Sequence, residues 1–133
     1  MIPPRASLRL VFWETTAGCN LACRHCRRLE ASRVLSRLDL STEAGKQLIE
    51  GIAAVGRPVL VFSGGEPLLR PDLFELAAHA AAHELPIALA TNGTLIDVAV
   101  ADRIGQAGFD RVAISLDGGD AATHDAFRNQ PGA

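Results

Sequence analysis

The cysteines Cys19, Cys23 and Cys26 fall within one short stretch, Cys19-Asn20-Leu21-Ala22-Cys23-Arg24-His25-Cys26, and the remainder of the 133 residues contains none. An odd number of cysteines cannot be used up in intramolecular disulfides, and spacing this tight suits one metal-centred site better than a covalent staple. Thiolate sulfur is a soft donor that binds iron–sulfur clusters and zinc. Three thiolates on a four-iron cluster leave one iron without a protein ligand, and an open metal position is where chemistry can occur. The same residues admit a structural zinc site completed by His25 or a distant histidine, or a redox pair of Cys23 with Cys26. Structural zinc prefers four closed protein ligands, whereas this loop offers three thiolates and a crowded histidine. Arg24, Arg27 and Arg28 surround the cysteines. They either form a solvated basic surface or favour thiolate over thiol and stabilise the extra electron of a reduced cluster.

A site of this kind needs a scaffold, and 133 residues fit one domain. A composition of 48% hydrophobic and 21% charged residues suits a folded chain rather than a disordered one. The net charge of −2 gives no indication of nucleic-acid binding. No apolar run approaches the roughly 20 residues needed to span a membrane. Met1-Ile2-Pro3-Pro4-Arg5 lacks the basic start and apolar centre of a signal peptide. Clustered free thiols without an export signal point to a reducing cytoplasm.

Strand and helix patterns alternate. Leu8 to Trp13 reads as a β-strand, and the cysteine loop follows it. Arg27 to Asp39 is basic and weakly periodic, predicting an irregular or part-helical excursion. Ser41 is placed to cap a helix whose apolar stripe is Ala44, Leu48, Ile49, Ile52 and Val55, ended by Gly56. Pro58 to Ser63 reads as a strand buried on both faces. A helix starts near Pro71 and runs to about His83. Pro86 to Thr91 is a third strand. Thr94 is placed to cap a third helix, with Asp97 in capping-box position, Val98, Ala101 and Ile104 on its buried face, and Gly108 as its stop. Arg111 to Leu116 is a fourth strand, and a fourth helix begins near Asp120. Such alternation implies right-handed βαβ crossovers and a parallel sheet. The cysteines, Gly64-Gly65-Glu66-Pro67, Thr91-Asn92-Gly93 and Ser115-Leu116-Asp117-Gly118 each lie at or just after a strand end. In parallel α/β folds those loops gather at the carboxyl end of the sheet, where active sites sit. Alternation along the fourth strand predicts that Ser115 and Asp117 both point into the interior.

The spacing C-x3-C-x2-C resembles the cluster motif of radical SAM enzymes, and Gly64-Gly65-Glu66-Pro67 resembles that family's GGEP motif. Thr91-Asn92-Gly93 is similar to the T-N-G that often ends its third strand. The resemblance implies a partial (β/α) barrel, of which about four parallel strands are present. It further implies that Cys19, Cys23 and Cys26 hold a [4Fe–4S] cluster and that S-adenosylmethionine (SAM) chelates the remaining iron. Gly64 and Gly65 would let the backbone turn and approach SAM without a Cβ in the way, and Glu66 would accept bonds from its ammonium group. His25 stands where the family usually has an aromatic residue near the adenine. Asn92, Ser115 and Asp117 stand where polar groups meet SAM. The implied activity is reductive cleavage of SAM to methionine and a 5′-deoxyadenosyl radical, which abstracts hydrogen from a substrate. Phe12-Trp13-Glu14-Thr15-Thr16 and Cys23-Arg24-His25-Cys26-Arg27 resemble the branch that modifies tetrapyrroles, with peptide-modifying members similar at this end. The implied partners are a small tetrapyrrole or a peptide substrate and a reducing electron donor, with no nucleic acid and no membrane.

His124-Asp125-Ala126-Phe127-Arg128 resembles a stretch of several radical SAM branches in which the arginine is usually followed by glycine, and Asn129 takes that place here. It reads most safely as a surface segment at a helix start. The adenine-contacting motif near the family's fifth strand has no counterpart. The family core usually has six strands, so the expectation is one domain, residues 1–133, forming the N-terminal portion of a longer core. Its last strand would be an open edge, a feature that invites pairing and poor stability. The alternative from another class is a zinc-binding or catalytically inactive scaffold protein.

Overall fold

The computed structural model describes residues 7–26 and 36–133. Within them four strands alternate with four α-helices: β1 (Leu10–Thr16), α1 (Thr42–Val55), β2 (Val59–Gly64), α2 (Leu73–Ala82), β3 (Ile87–Thr91), α3 (Val98–Gln106), β4 (Arg111–Ile114) and α4 (Ala121–Arg128). The strands pair in parallel in the order β1-β2-β3-β4. This is the parallel α/β sheet predicted from the alternation, in the order that the resemblance to a partial barrel implies. Most of the predicted excursion between Arg27 and Asp39, with Arg27 and Arg28 themselves, lies outside the described residues. Ser36–Leu38 forms a single 3-10 turn.

Register decides which side chains face the helices. Trp13 pairs with Phe62, Leu60 with Ile87, and Phe62 with Leu89. Since pleated strands alternate faces, Trp13, Leu60, Phe62, Ile87 and Leu89 form one buried layer. It packs on Ile49 and Ile52 of α1 and on Leu73, Leu76, Ala77 and Ala80 of α2. Leu60, Val61 and Phe62 are all buried, as the continuous apolar run predicts. Gly45 shares the buried face of α1 because a Cβ there would stand 2.8 Å from the Trp13 ring. The predicted stripe is therefore corrected: Gly45, Ile49 and Ile52 face inward, while Leu48 and Val55 are exposed.

The caps follow side-chain chemistry. The Ser41 hydroxyl accepts from Ala44 N, as predicted. The third helix starts three residues later than the sequence suggests. Asp97 caps it by accepting from Val100 N at 2.8 Å, because the Thr94 hydroxyl is engaged elsewhere. Ile104 faces the core as predicted, joined by Val100, whereas Val98 and Ala101 of the predicted face are exposed. Gly108 ends this helix with a φ of +86°, in the left-handed region glycine tolerates. Arg70, buried after the turn Pro67–Leu69, donates to the Thr15 carbonyl at 2.7 Å and the Leu40 carbonyl at 2.8 Å. It also pairs with Asp72 at 2.7 Å, so one guanidinium ties the end of β1 to the approach to α1. Among the described residues, no helix is long and apolar enough to cross a membrane.

Candidate functional site

The loop after β1 turns back on itself through a bond from Cys26 N to Cys23 O at 3.2 Å. All three cysteines are free thiols, and all three line one cleft of about 430 Å³ at the carboxyl end of the sheet. His25, Gly64, Gly65, Asn92 and Ser115 line the same cleft. Eight of the predicted site residues are thus brought together from four separate loops. Burial pushes the Cys19 thiol up. The Leu21 amide partly offsets this, and the nearby Glu66, Cys23 and Cys26 add to it. Three soft sulfur donors facing one open space, with no further cysteine in the chain, fit a cluster with one uncommitted iron.

The glycines act between protein loops. Gly64 has a φ of +131°, and a Cβ there would lie 2.3 Å from the Thr16 carbonyl oxygen. At Gly65 a Cβ would lie 2.1 Å from the Gly18 carbonyl oxygen. The close approach is therefore to the chain leading into the cysteines, where Gly65 N donates to Thr16 O and Glu66 N to Gly18 O, each at 2.8 Å. These bonds dock the loop after β2 against the cysteine loop.

Glu66 sits beneath the site. Its side chain is fully buried and does not line the cleft. The carboxylate accepts from Thr91 Oγ1 at 2.8 Å and Leu68 N at 3.1 Å on one oxygen, and from Asn92 N at 2.7 Å on the other. Three donors converge on it, so it ties the loops after β2 and β3 together beneath the cysteine loop. Asn92 extends the network: its Nδ2 donates to Asn20 Oδ1 at 2.9 Å, and its Oδ1 accepts from the Thr94 hydroxyl at 2.7 Å. Asn20 Nδ2 donates in turn to Thr94 Oγ1 at 2.9 Å. The three side chains close a ring that holds the cysteine loop against the loop after β3.

The strand alternation expected for Asp117 is corrected by the fold. β4 ends at Ile114, so the strand alternation does not reach it, and Asp117 does not line the cysteine cleft. Its carboxylate pairs with Arg128 at 2.7 Å, and its backbone N–H donates to His124 Nδ1 at 3.1 Å. His124 and Arg128 are both buried while Ala126 and Phe127 are exposed, so the segment expected on the surface turns one face inward to the site. Arg128 lines the cleft and its Nη1 donates to Cys23 Sγ at 3.6 Å. The Phe127 carbonyl accepts from Arg24 N at 2.9 Å, and the Phe127 ring meets His25 edge-on at 6.1 Å. The helix ends at Asn129, whose φ of 54° is left-handed. That conformation explains why glycine is the usual residue there and asparagine a workable one. Sequence reasoning missed Arg128. The pairing of His124 with Arg128 four residues on, both on one helix face, is the signal that could have found it.

A larger open hollow of about 710 Å³ adjoins the cleft and shares Asn92 and Ser115 with it. These two polar side chains thus stand between the cysteines and a space alongside β4 large enough for a small molecule.

The radical SAM superfamily model matches residues 13–132. The chain is 46% identical over all 133 residues to the AdoMet-dependent heme synthase of Methanosarcina barkeri, spanning 38% of that protein. It is 45% identical over 124 residues, 93% of the chain, to the pre-heme d1 synthase of Dinoroseobacter shibae, spanning 30% of it. The crystal structure of Streptococcus suis SuiB bound to S-adenosylmethionine superposes with a TM-score of 0.73 at 19% identity, over 94% of this chain and 28% of that one. The chain thus spans about a third of the length of the curated relatives it matches. With a cysteine loop, a docked Gly-Gly-Glu-Pro loop and a parallel half-barrel in one arrangement, it belongs to the radical SAM superfamily.

Proposed function

We propose that this chain forms the cluster- and SAM-binding part of a radical SAM enzyme acting on a tetrapyrrole. The observation that carries the reading is the convergence of Cys19, Cys23 and Cys26 on one cleft together with Gly64, Gly65, Asn92 and Ser115. The three cysteines would hold a [4Fe–4S] cluster, with SAM as the second cofactor. When bound, that pair supplies reductive cleavage of SAM and hydrogen abstraction by the resulting 5′-deoxyadenosyl radical. The chain's own residues bind and orient. Gly64 and Gly65 give a backbone wall free of side chains beside the cysteines. His25, Asn92 and Ser115 are the contacts for the nucleotide, and the hollow shared by Asn92 and Ser115 receives what extends beyond the cysteine cleft. Arg128 places a cation beside a ligand sulfur, where it offsets negative charge on a reduced centre. Glu66 and Asp117 act one step back: they hold the loops that carry Asn92 and Arg128, and precise placement of reacting groups is where such a site gains rate.

The tetrapyrrole class rests on 46% identity to a heme synthase and 45% to a pre-heme d1 synthase. A one-electron donor has to reach the cluster, and a reducing compartment, the cytoplasm, suits its free thiols. Anaerobic reconstitution tests the assignment. The expected result is a brown protein with about four irons per chain, whose reduced electron paramagnetic resonance spectrum changes when SAM is added. Replacing any one of the three cysteines with alanine should abolish both. A colourless protein holding zinc in the cysteine loop, or a cluster whose spectrum ignores SAM, would overturn it in favour of a zinc-binding scaffold. A Soret shift on titration with an iron porphyrin, but not with a peptide, supports the substrate class; the reverse result removes it.

A further inference from the structure

We propose that Glu50, His79 and His83 form a surface site for a divalent transition-metal ion of the zinc type, cross-linking α1 to α2. Glu50 lies on α1, His79 in the last turn of α2 and His83 at its C-cap. One donor atom from each residue lies within 4.8 Å of the others. Donor atoms around a tetrahedral zinc ion sit roughly 3.4 Å apart, so rotation of surface side chains closes the set without moving either helix.

Three further observations bear on the chemistry. His79 and His83 are four residues apart, which stacks both imidazoles on one helix face, and their rings lie 4.5 Å apart. His83 Nδ1 lies 2.9 Å from the His79 carbonyl. A carbonyl can only accept, so Nδ1 carries the proton and Nε2 keeps its lone pair, the tautomer that a metal-binding histidine needs. Glu50 Oε1 already faces His79 Nε2 at 3.2 Å across the helix seam. One turn earlier the same seam carries Lys46, which is engaged with Glu75 at 2.7 Å and Glu43 at 3.6 Å. The nearest cation on α1 is thus held by other carboxylates. Two imidazoles and one carboxylate leave a fourth position for water, the donor set of an open zinc site.

This site is independent of the cysteines. In a parallel α/β unit the helix returns the chain, so the end of α2 sits at the amino end of β3, opposite the loops that carry the cleft. Its direct consequence is that metal analysis of the protein should find a second equivalent that thiolate chemistry does not explain.

The test titrates zinc into the full chain carrying Cys19→Ala, Cys23→Ala and Cys26→Ala, followed by calorimetry. One equivalent should bind, and adding His79→Ala or His83→Ala should weaken binding by at least roughly tenfold. Cobalt(II) titration of the unaltered chain gives an independent reading, which stands if the cysteine-free chain fails to fold. One equivalent should show visible ligand-field bands without thiolate-to-cobalt charge transfer, and His79→Ala should remove that equivalent alone. If every equivalent of cobalt carries the thiolate band, or zinc affinity is unchanged by His79→Ala, Glu50 and His79 share an ordinary hydrogen bond and the site does not exist.

Discussion

Glu66 offers the sharpest test of how this site is built. Its carboxylate receives Leu68 N, Thr91 Oγ1 and Asn92 N, and all three partners are donors. Glu66→Gln keeps the shape but replaces one acceptor oxygen with an NH2 donor. Thr91 Oγ1 already accepts from Gly93 N at 3.0 Å, so its own proton is best used on Glu66. With the amide oxygen kept toward Thr91 and Leu68, the NH2 group confronts the Asn92 N–H. In the flipped orientation it confronts the Leu68 N–H. Either way one backbone donor loses its acceptor. A hydrogen bond to a charged group contributes about 1.5–3 kcal/mol, and the two surviving bonds fall toward the roughly 1 kcal/mol of neutral pairs. Relief from burying a carboxylate offsets part of this, leaving an expected loss of about 2–3 kcal/mol. Urea unfolding should show a lower midpoint at unchanged slope, and hydrogen exchange should show lost protection at the Asn92 amide. Both are measured without SAM. A residue whose only task is to touch SAM would leave both unchanged, and that result would refute the positioning role.

Four further substitutions probe separate parts of the fold. Gly65→Ala forces a Cβ to within 2.1 Å of the Gly18 carbonyl and should cost about 3 kcal/mol, with loss of iron retention after reconstitution. Gly51→Ala, which meets nothing within 4 Å in mid-helix, should instead raise stability by roughly 0.5–1 kcal/mol, read from the urea midpoint. Burial pushes the Asp72 carboxyl up, but hydrogen bonds from Arg70 and Thr42 outweigh it and hold it below the ordinary value. Its contribution is therefore present above the unfolded pKa of about 3.9 and lost as pH falls through the lower folded value, so Asp72→Asn should destabilise at neutral pH and match the parent chain in strong acid. Arg128→Met removes the partner of Asp117 and the donor to Cys23. It should lower stability by about 2 kcal/mol and make the midpoint potential of the reconstituted cluster more negative; an unchanged potential removes Arg128 from the electrostatics of the site.

The parts of this structure legible in the sequence are those written in local signals. The alternation of strand and helix, the cap at Ser41, the start of the fourth helix near Asp120 and the stop at Gly108 depend on neighbouring residues, and they stand where the pattern put them. Convergence of the cysteine, Gly-Gly-Glu-Pro, Asn92 and Ser115 segments follows from topology alone, since parallel pairing sends every strand end to the same edge. Helix faces were less legible. Glycine carries no apolar signal, so Gly45 under Trp13 was invisible, while Leu48 and Val55 looked buried and are not. Arg128 was missed because its contact with Cys23 joins residues 105 positions apart; the spacing of His124 and Arg128 on one helix face hints at a shared role but not at the cysteine it meets.

The polar residues of the loops carry the more general lesson. A sequence displays Glu66, Asn92 and Asp117 as groups with free hydrogen-bonding capacity beside a presumed ligand, and Thr94 as a helix cap. In the fold, Glu66 joins the loops after β2 and β3, Asn92 and Thr94 join the latter to Asn20, and Asp117 joins the end of β4 to α4 through Arg128 and His124. These loops are short and rich in glycine, so their backbones have much conformational freedom to lose. Loops of that composition hold one shape only if their side chains bond across to one another, and supporting bonds of this kind set the precision of a site. The interlocking polar groups, with the backbone bonds from Gly65 and Glu66, therefore hold the three cysteines toward one cleft. On that reasoning, breaking the Asn20–Asn92–Thr94 ring should disorder the cysteine loop before it disturbs the sheet beneath it.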